Sequence, residues 1–316
     1  MATELPGEPR RHRRLGDLIF ANLTLFFALV IVVLLLGMVI TLNIDALPAI
    51  RKFGIGFIGG TSWNAVTGQF GALPAIYGTL LSSAIGLLIA VPISLGAAIF
   101  LVELAPGWIR GPGSFLIEML AAIPSVIIGL WGLFVLVPFV RDPVEKWLGA
   151  NLGFVPLFQG PPFGLGFLSA GIILAIMVIP IITAMSRDVI RAVPSSQREA
   201  MLALGATRWE MIRRAVLPFC RSGLIGAVIL GLGRALGETM AVTMVIGNKY
   251  ALTTSLFSPG ATIASKIAGE FGEAVGDVFT ASLVELALVL FGVTLLINVI
   301  ARLMVWRLTA VRMGQE

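Results

Sequence analysis

The sequence predicts an all-helical membrane protein that crosses the bilayer six times and forms a single domain. Its composition is 58% hydrophobic and only 12% charged, far from that of an average soluble domain. Six apolar stretches reach the roughly 20 residues that a membrane-spanning helix needs. The basic residues also lie unequally on the two sides of these stretches, as they do in multi-pass membrane proteins.

The six predicted spans are residues 18–42, 76–101, 115–140, 163–185, 223–246 and 281–305. Three of them contain proline, including Pro92, Pro124 and Pro180. We expect helices to tolerate these prolines because neighbouring helices satisfy the backbone groups that proline frees. The basic run before the first span is typical of a signal peptide, but the apolar run is too long and lacks a cleavage site. An uncleaved anchor is therefore expected, with a basic arm over residues 1–17 and one transmembrane domain over 18–316.

Charge predicts the orientation of the chain. One side of the membrane carries the basic residues Arg10, Arg11, Arg13, Arg14, Arg110, Arg187, Arg191, Arg198, Arg208, Arg213, Arg214, Arg221, Arg302, Arg307 and Arg312. The other side carries only Arg51, Lys52, Arg141, Lys146, Lys249 and Lys266. Positively charged loops stay in the cytoplasm, so both termini are expected there. The basic balance thus reflects topology, and no nucleic-acid partner is predicted.

Catalysis and metal binding within this chain are disfavoured by its residue types. The single cysteine, Cys220, has no disulfide partner, and the single histidine, His12, lies in the N-terminal arm. A Cys/His metal site and histidine-based catalysis are therefore excluded. None of the four lysines follows a glycine, as the phosphate-binding loop of an ATPase requires. Any ATP and magnesium must be bound by another chain.

A charged segment interrupts the apolar sequence at residues 199–218, which read EAMLALGATRWEMIRRAVLP. A helix over residues 197–204, a turn at 205–207 and a second helix over 207–217 are predicted, since glycine permits the unusual backbone angle of such a turn. Thr207 and Glu210 have the spacing of a capping box. Pro218 either ends the second helix or opens the next one. This helix-turn-helix suits a groove of another protein; the alternative is a basic loop that only fixes topology.

We call residues 199–218 the coupling segment, because they resemble the cytoplasmic coupling loop of ABC-importer permeases. That family pattern is Glu-Ala-Ala, three residues, Gly, nine residues, Ile, one residue, Leu-Pro. The residues in register with it are Glu199, Ala200, Gly205, Leu217 and Pro218. Met201 replaces the second Ala, and Ala215 replaces the Ile. The resemblance implies the MetI-like permease fold and a cytoplasmic loop, about residues 187–221, that receives a separate ATPase.

The predicted fifth span contains a charged pair, Arg234 and Glu238, four residues apart on one helical face. Arg221 and Lys249 bracket this span about 42 Å apart along a helix, which places Arg234 near the middle of the membrane. An arginine at that depth costs roughly 2.5–3.5 kcal/mol on insertion scales. Such a pair either neutralises itself and locks helix packing or faces a polar path.

In the second interpretation, the guanidinium of Arg234 contacts an oxyanion, for which its planar fork is suited. An ionised carboxylate only accepts hydrogen bonds, so Glu238 favours an anion that still carries a proton. Phosphate does so near neutral pH, whereas sulfate does not. Because the pair has no net charge, a second permease is expected to supply further positive charge along a shared path.

Residues 234–248, RALGETMAVTMVIGN, together with residues 70–83 and 90–103, resemble the PstC-type permeases of the phosphate ABC importer. The resemblance implies a heterodimer with a PstA-type permease, two PstB-type ATPase subunits that bind ATP and magnesium, and an external PstS-type phosphate-binding protein. It assigns Arg234 and Glu238 to the translocation path and implies no catalytic, cofactor or metal residue in this chain. The expected function is phosphate import by alternating access, in the lipid of a bacterial inner membrane.

Three alternatives remain open at this point. An ABC permease for another oxyanion, such as phosphonate or sulfate, would share the coupling segment. A proton-coupled secondary transporter would use Glu238 as the proton carrier and need no ATPase. A membrane-embedded enzyme is disfavoured, since the sequence contains no nucleophile–base or metal constellation.

Two predicted external segments are candidates for contacts outside the membrane. The first, residues 43–75, either contacts a binding protein or anchors in the membrane interface through the aromatic residues Phe53, Phe57, Trp63 and Phe70. The second, residues 262–271, predicts an amphipathic helix that is either a gate or a lid on the membrane surface. Arg187 and Asp188, at the border of the coupling segment, are expected to be solvated loop charges.

Overall fold

The computed structural model describes residues 15–313 and the side chains of residues 16–303. Within these residues, the stretches long and apolar enough to cross a membrane are Gly16–Phe53, Leu73–Leu104, Ser125–Leu152, Phe167–Arg191, Arg208–Leu236 and Asp277–Leu303. The all-helical class with six spans is thus confirmed. The described side chains do not include the basic residues of the N-terminal arm, His12 among them, or Arg307 and Arg312 near the other end of the chain. The division into an arm and one domain remains a prediction.

The first part of the chain forms one long helix and a small hairpin. The elements are α1 (Leu15–Phe53), α2 (Gly56–Gly59), β1 (Trp63–Asn64) and β2 (Gln69–Phe70). Up to Asp45, α1 belongs to a unit of its own and presents mostly exposed apolar side chains, as a lipid-facing helix does. The antiparallel strands pair Trp63 with Phe70.

The second unit, from Ala46 onward, contains the remaining helices. They are α3 (Leu73–Ile99), α4 (Gly107–Ala121), α5 (Ser125–Trp131), α6 (Val137–Phe139), α7 (Lys146–Leu152), α8 (Phe167–Arg191), α9 (Ser195–Ala203), α10 (Arg208–Met211), α11 (Leu217–Leu236), α12 (Met240–Val245), α13 (Ile263–Glu270) and α14 (Asp277–Met313). π-Helical turns at Phe100–Leu104, Gly132–Leu136, Val140–Glu145 and Ile212–Val216 continue several of them.

The core of this unit is centred on α8, whose apolar residues such as Ile173, Leu174 and Ile182 are almost fully buried. α8 packs against α3 and α11. Small residues permit the close approach: a Cβ added at Gly171 would lie 2.3 Å from the side chain of Ile85. Close van der Waals packing of these side chains holds the central helices together.

The predicted third span, 115–140, has the wrong boundaries. The helix that crosses the membrane is Ser125–Leu152, and α4 is a separate helix that ends at Ala121. Pro124 lies between them with a ψ of 135°, which is not helical, and a proline also disfavours the helical region for the residue before it, Ile123. Pro92 and Pro180 do lie inside helices, α3 and α8, as predicted.

The predicted fifth span, 223–246, is also wrong as a continuous helix. It begins earlier, at Arg208, and α11 ends at Leu236, before the short helix α12 starts at Met240. Arg234 therefore does not lie midway along one straight helix between Arg221 and Lys249. Arg234 instead lies in the last turn of α11, next to the break.

The aromatic residues of segment 43–75 do not form the exposed surface that either prediction required. Phe57 and Phe70 are buried. The ring of Trp63 lies 4.9 Å from that of Phe70 and 5.4 Å from that of Tyr250. They form an internal cluster, because clustering removes large apolar rings from solvent.

The predicted helix at 262–271 is confirmed as α13, which begins at a capping box formed by Thr262 and Ser265. The backbone N–H of Ile263 donates to Oγ1 of Thr79 on α3, at 3.0 Å. Its first turn is therefore buried against a membrane-crossing helix and does not lie on the membrane surface as a lid would. A gating role stays a prediction.

Candidate functional site

A break in the fifth span positions the charged pair. The backbone N–H of Gly237 still bonds to Gly233, and that of Glu238 to Ala235, so α11 tightens and ends. The next helix, α12, starts two residues later. Oε1 of Glu238 accepts the backbone N–H of Ala241 at 3.3 Å, which satisfies one of the orphan donors in the first turn of α12.

The structure brings Arg234 and Glu238 together, with 3.2 Å between Nη2 and Oε2. The two side chains differ in exposure: that of Arg234 is 47% exposed and that of Glu238 only 3%. Since Glu238 is anchored to α12 and buried, it fixes the direction of the guanidinium. The arrangement presents an oriented cation on the surface of this chain, held by a buried carboxylate.

The α12 side of the pair is held by close helix packing. A Cβ at Gly129 of α5 would lie 2.9 Å from the Cα of Ala241 and 2.7 Å from Sδ of Met244. Only glycine at this position lets α5 approach α12 so closely. The backbone that carries Glu238 is thus fixed by the third membrane span.

The coupling segment folds as a helix-turn-helix, as predicted. α9 is followed by a turn in which Gly205 has a φ of +82°, a conformation that glycine adopts without strain. The capping box is confirmed: Glu210 N–H donates to Oγ1 of Thr207 at 3.3 Å, and Thr207 N–H donates to Oε2 of Glu210 at 2.9 Å.

The second helix of the segment does not end at Leu217. α10 runs through the π-helical turn Ile212–Val216 into α11 without a break. Pro218 therefore lies in the first turn of α11, the second of the two predicted alternatives. The coupling segment is consequently one continuous body with the span that carries Arg234.

The predicted coupling residues form an exposed surface. Glu199, Ala200 and Gly205 are exposed, and Leu217 and Pro218 are half-buried. A cavity of about 390 Å³ between α9 and α11 is lined by Gln197, Ala200, Met201, Arg214, Ala215, Pro218 and Phe219. Beside it Leu204 and Trp209 are also exposed. Exposed apolar side chains with a polar rim are typical of a protein-docking site.

The prediction that Arg187 is a solvated loop charge is wrong. It lies on α8 and is 7% exposed, with Nη1 3.0 Å from Oε1 of Glu118 and Nε 3.1 Å from Oδ1 of Asp188. A guanidinium this buried needs such partners. Hydropathy placed it outside the fourth span because it follows the apolar run, but α8 continues to Arg191.

The ion pairs of Arg198 and Lys266 were among those not predicted from the sequence. Arg198 of α9 pairs with Glu103, which lies 95 residues away in the chain, so no local pattern indicates it. Lys266 pairs with Glu270 on α13, and their spacing of four residues was a usable signal. Among residues 15–313, no group of three His, Cys, Asp or Glu side chains could hold a metal ion.

The family described as "Binding-protein-dependent transport system inner membrane component" matches residues 90–309. The chain is 49% identical to the phosphate transport system permease protein PstC of Mesorhizobium japonicum, over 95% of this chain and 93% of that protein. It is also 49% identical to the PstC of Haemophilus influenzae, over 92% of this chain and 93% of that protein.

Solved structures support the fold. An inward-facing MetNI methionine ABC transporter matches with a TM-score of 0.55 and 18% identity, over 74% of this chain and 94% of the other. A bacterial ABC transporter involved in the import of alginate matches with a TM-score of 0.52 and 20% identity, over 92% of this chain and 98% of the other. At these identities the likeness establishes the MetI-type permease fold alone.

Membership implies a multi-pass inner-membrane transport subunit that works with a binding protein and a separate ATPase. The chain belongs to the family of binding-protein-dependent transport system inner membrane components, among the PstC permeases.

Proposed function

We propose that this chain is the translocation subunit of an ATP-driven importer of inorganic phosphate, and that Arg234 contacts the anion during alternating access. One observation carries the proposal: the guanidinium of Arg234 is 47% exposed while the carboxylate that orients it is 3% exposed. A pair that served only to lock helix packing would bury both groups, since an exposed ion pair contributes little stability. The similarity to PstC permeases supports phosphate as the anion.

The chemistry of the pair fits a protonated oxyanion. The guanidinium carries five N–H donors in a rigid fork, and one Nη faces Glu238, so the other edge is suited to two phosphate oxygens. The carboxylate of Glu238 accepts but cannot donate. It favours an anion that brings its own proton, which phosphate does near neutral pH.

The remaining parts of the importer are assigned by the same proposal. The coupling segment receives one of two PstB-type ATPases, which bind the ATP and magnesium. A PstA-type permease completes the path and supplies further positive charge, and a PstS-type protein delivers phosphate from outside. Both termini and the coupling segment face the cytoplasm, in agreement with the distribution of arginines.

The test is anion uptake by the complete importer in proteoliposomes. Phosphate uptake should require ATP, and sulfate and phosphonate should be transported much more slowly. Glu238→Gln should lower phosphate uptake by roughly tenfold, the scale of one charge-assisted hydrogen bond, and should narrow the preference for phosphate over sulfate. Glu285→Gln is the matched control, because Glu285 is also a buried carboxyl but lies on α14.

Two outcomes would overturn the proposal. Unchanged rates and anion preference in Glu238→Gln would remove this residue from the mechanism. Uptake that persists without ATP and collapses with the proton gradient would identify a secondary transporter with Glu238 as its proton carrier.

A further inference from the structure

Within α9, the side chains of Arg198 and Met201 are the two that are not exposed, so they attach this helix to the rest of the structure. Met201 packs against an apolar cluster, and an apolar contact is non-directional. Arg198 instead makes directional bonds. It immediately precedes Glu199, the first residue of the coupling segment.

The guanidinium of Arg198 joins three elements. Its Nε and Nη2 donate to Oε1 of Glu103 at 3.1 and 2.9 Å, and Nη2 also donates to the carbonyl of Ile190 at 2.8 Å. Nη1 donates to the carbonyl of Val193. The carbonyls lie in the last turn of α8 and just beyond it, where helix carbonyls lack intrahelical partners and a cation is favoured.

Glu103 lies at the end of the second membrane span, on the π-helical turn Phe100–Leu104 that continues α3. Its side chain is 7% exposed and that of Arg198 20%. A partly buried pair is screened less than a surface pair and holds a more defined geometry. π-Helical turns are frequent at functional sites. The pair therefore connects α9 to the end of a membrane-crossing helix.

We propose that Arg198 and Glu103 are positioning residues that transmit the movement of α9 to α3 and thereby couple ATP hydrolysis to anion movement. This inference rests on the proposed function, because it requires an ATPase seated on α9. Without the ion pair, α9 keeps the apolar contact of Met201 and its connection to α10. The helix can then follow the ATPase while α3 does not follow the helix.

A second ion pair provides a matched control. Arg187 and Glu118 join α8 to α4 at a distance of 3.0 Å. This pair links two helices, as the first pair does, and one of its partners, Arg187, is largely buried. Neither residue lies on α9. Glu118→Gln removes the negative charge of this pair. It tests whether the loss of any ion pair between two helices weakens the coupling of ATP hydrolysis to anion movement.

The experiment measures ATP hydrolysed per anion transported by the complete importer in proteoliposomes, with subunit composition checked after purification. Glu103→Gln and Arg198→Gln should each raise the ratio roughly fivefold, the scale of coupling between contacting residues. The double variant should be no worse than Arg198→Gln alone, because the ion pair to Glu103 is already lost in that variant, together with the bonds to the carbonyls of Ile190 and Val193. Glu118→Gln should stay near wild type, and Arg198→Lys should be intermediate.

Three results would overturn the coupling role: wild-type ratios in both single variants, additive effects in the double variant, or loss of the ATPase from the purified complex. The wild-type importer separates the two proposals. If it transports a different anion with ATP, phosphate is wrong as the substrate and the ratio is measured with that anion. If its uptake is independent of ATP, both proposals fail.

Discussion

Two ion pairs with the same sequence spacing have opposite environments in this protein. Arg234 and Glu238 are four residues apart, as are Lys266 and Glu270. In the first pair the cation is 47% exposed and the anion 3%. In the second the cation is 9% exposed and the anion 31%. The more exposed partner of each pair presents more of its side chain to a ligand.

The second pair is enclosed by an aromatic cage, formed by Trp63 and Tyr250 around Lys266. Its Nζ lies 5.3 Å from the centre of the Trp63 ring and 4.8 Å from that of Tyr250, within cation–π range. Nε1 of Trp63 donates to Oε2 of Glu270 at 2.7 Å. The cage joins α13 to the β1–β2 hairpin, so we interpret Lys266 as a structural cation and Arg234 as a functional one.

The hydroxyl of Tyr250 strengthens this interpretation. It donates to the carbonyl of Gly71, beside the hairpin. Burial raises the pKa of the Tyr250 hydroxyl above its ordinary value, since a low-polarity environment disfavours the phenolate. The hydroxyl therefore remains a protonated donor at every physiological pH, and its hydrogen bond to Gly71 does not change over that range.

The largest expected effect is on transport by a variant of the exposed cation. Arg234→Gln should lower phosphate uptake by roughly 100-fold, because hydrogen bonds to charged groups contribute about 1.5–3 kcal/mol each. Uptake is measured per assembled complex in proteoliposomes. Arg234→Lys keeps the charge beside Glu238 but loses the fork, so it should recover only part of the rate. Wild-type uptake in Arg234→Gln would make the pair a packing device.

The next effect is on stability, by a variant of the buried cation. Lys266→Met should lower the free energy of unfolding by about 2 kcal/mol, because two cation–π contacts are lost and Glu270 loses its cation. Thermal unfolding of the solubilised chain measures the change. Uptake per assembled complex should stay within about twofold of wild type, since an ion pair outside the path has no transition-state contact to lose.

Lys249→Met is the matched control for this variant, because Lys249 is an exposed lysine near the cage residue Tyr250 in the sequence. Its removal should leave the unfolding temperature unchanged. The comparison fails if Lys266→Met keeps full stability and abolishes uptake, since the caged cation would then belong to the transport machinery.

Local features of the fold were predictable from the sequence, because neighbouring residues determine them. The number of spans follows from hydropathy, and the capping box of Thr207 and Glu210 follows from a spacing of three residues. The positive φ of Gly205 follows from the glycine between two helical patterns. The predicted pairing of Arg234 with Glu238 required only that a helical turn separate them.

Features that depend on tertiary contacts were not predictable. The helix is interrupted at Pro124 but continues through Pro92 and Pro180. Contacts with the surrounding helices decide whether a helix continues through a proline. The break after Leu236 contains no proline, and Gly237 follows several other glycines in the same span, so the sequence did not distinguish it as a helix end. Exposure also depends on packing, which is why two pairs of equal spacing could not be distinguished.

The smallest expected effect is again on stability. It comes from a variant that removes the hydrogen bond of the cage but keeps its cation–π contacts. Trp63→Phe keeps an aromatic face for Lys266 but removes the N–H donor to Glu270, so it should lower the free energy of unfolding by about 1 kcal/mol. Trp108→Phe, at a tryptophan that is 78% exposed, should have no effect. If Trp63→Phe is as damaging as Lys266→Met, the hydrogen bond to Glu270 holds the cage and the cation–π contacts do not. The double variant Trp63→Phe/Lys266→Met tests this further. If it loses less free energy of unfolding than the two single variants lose together, Lys266 and the indole N–H of Trp63 act through the same carboxylate, that of Glu270.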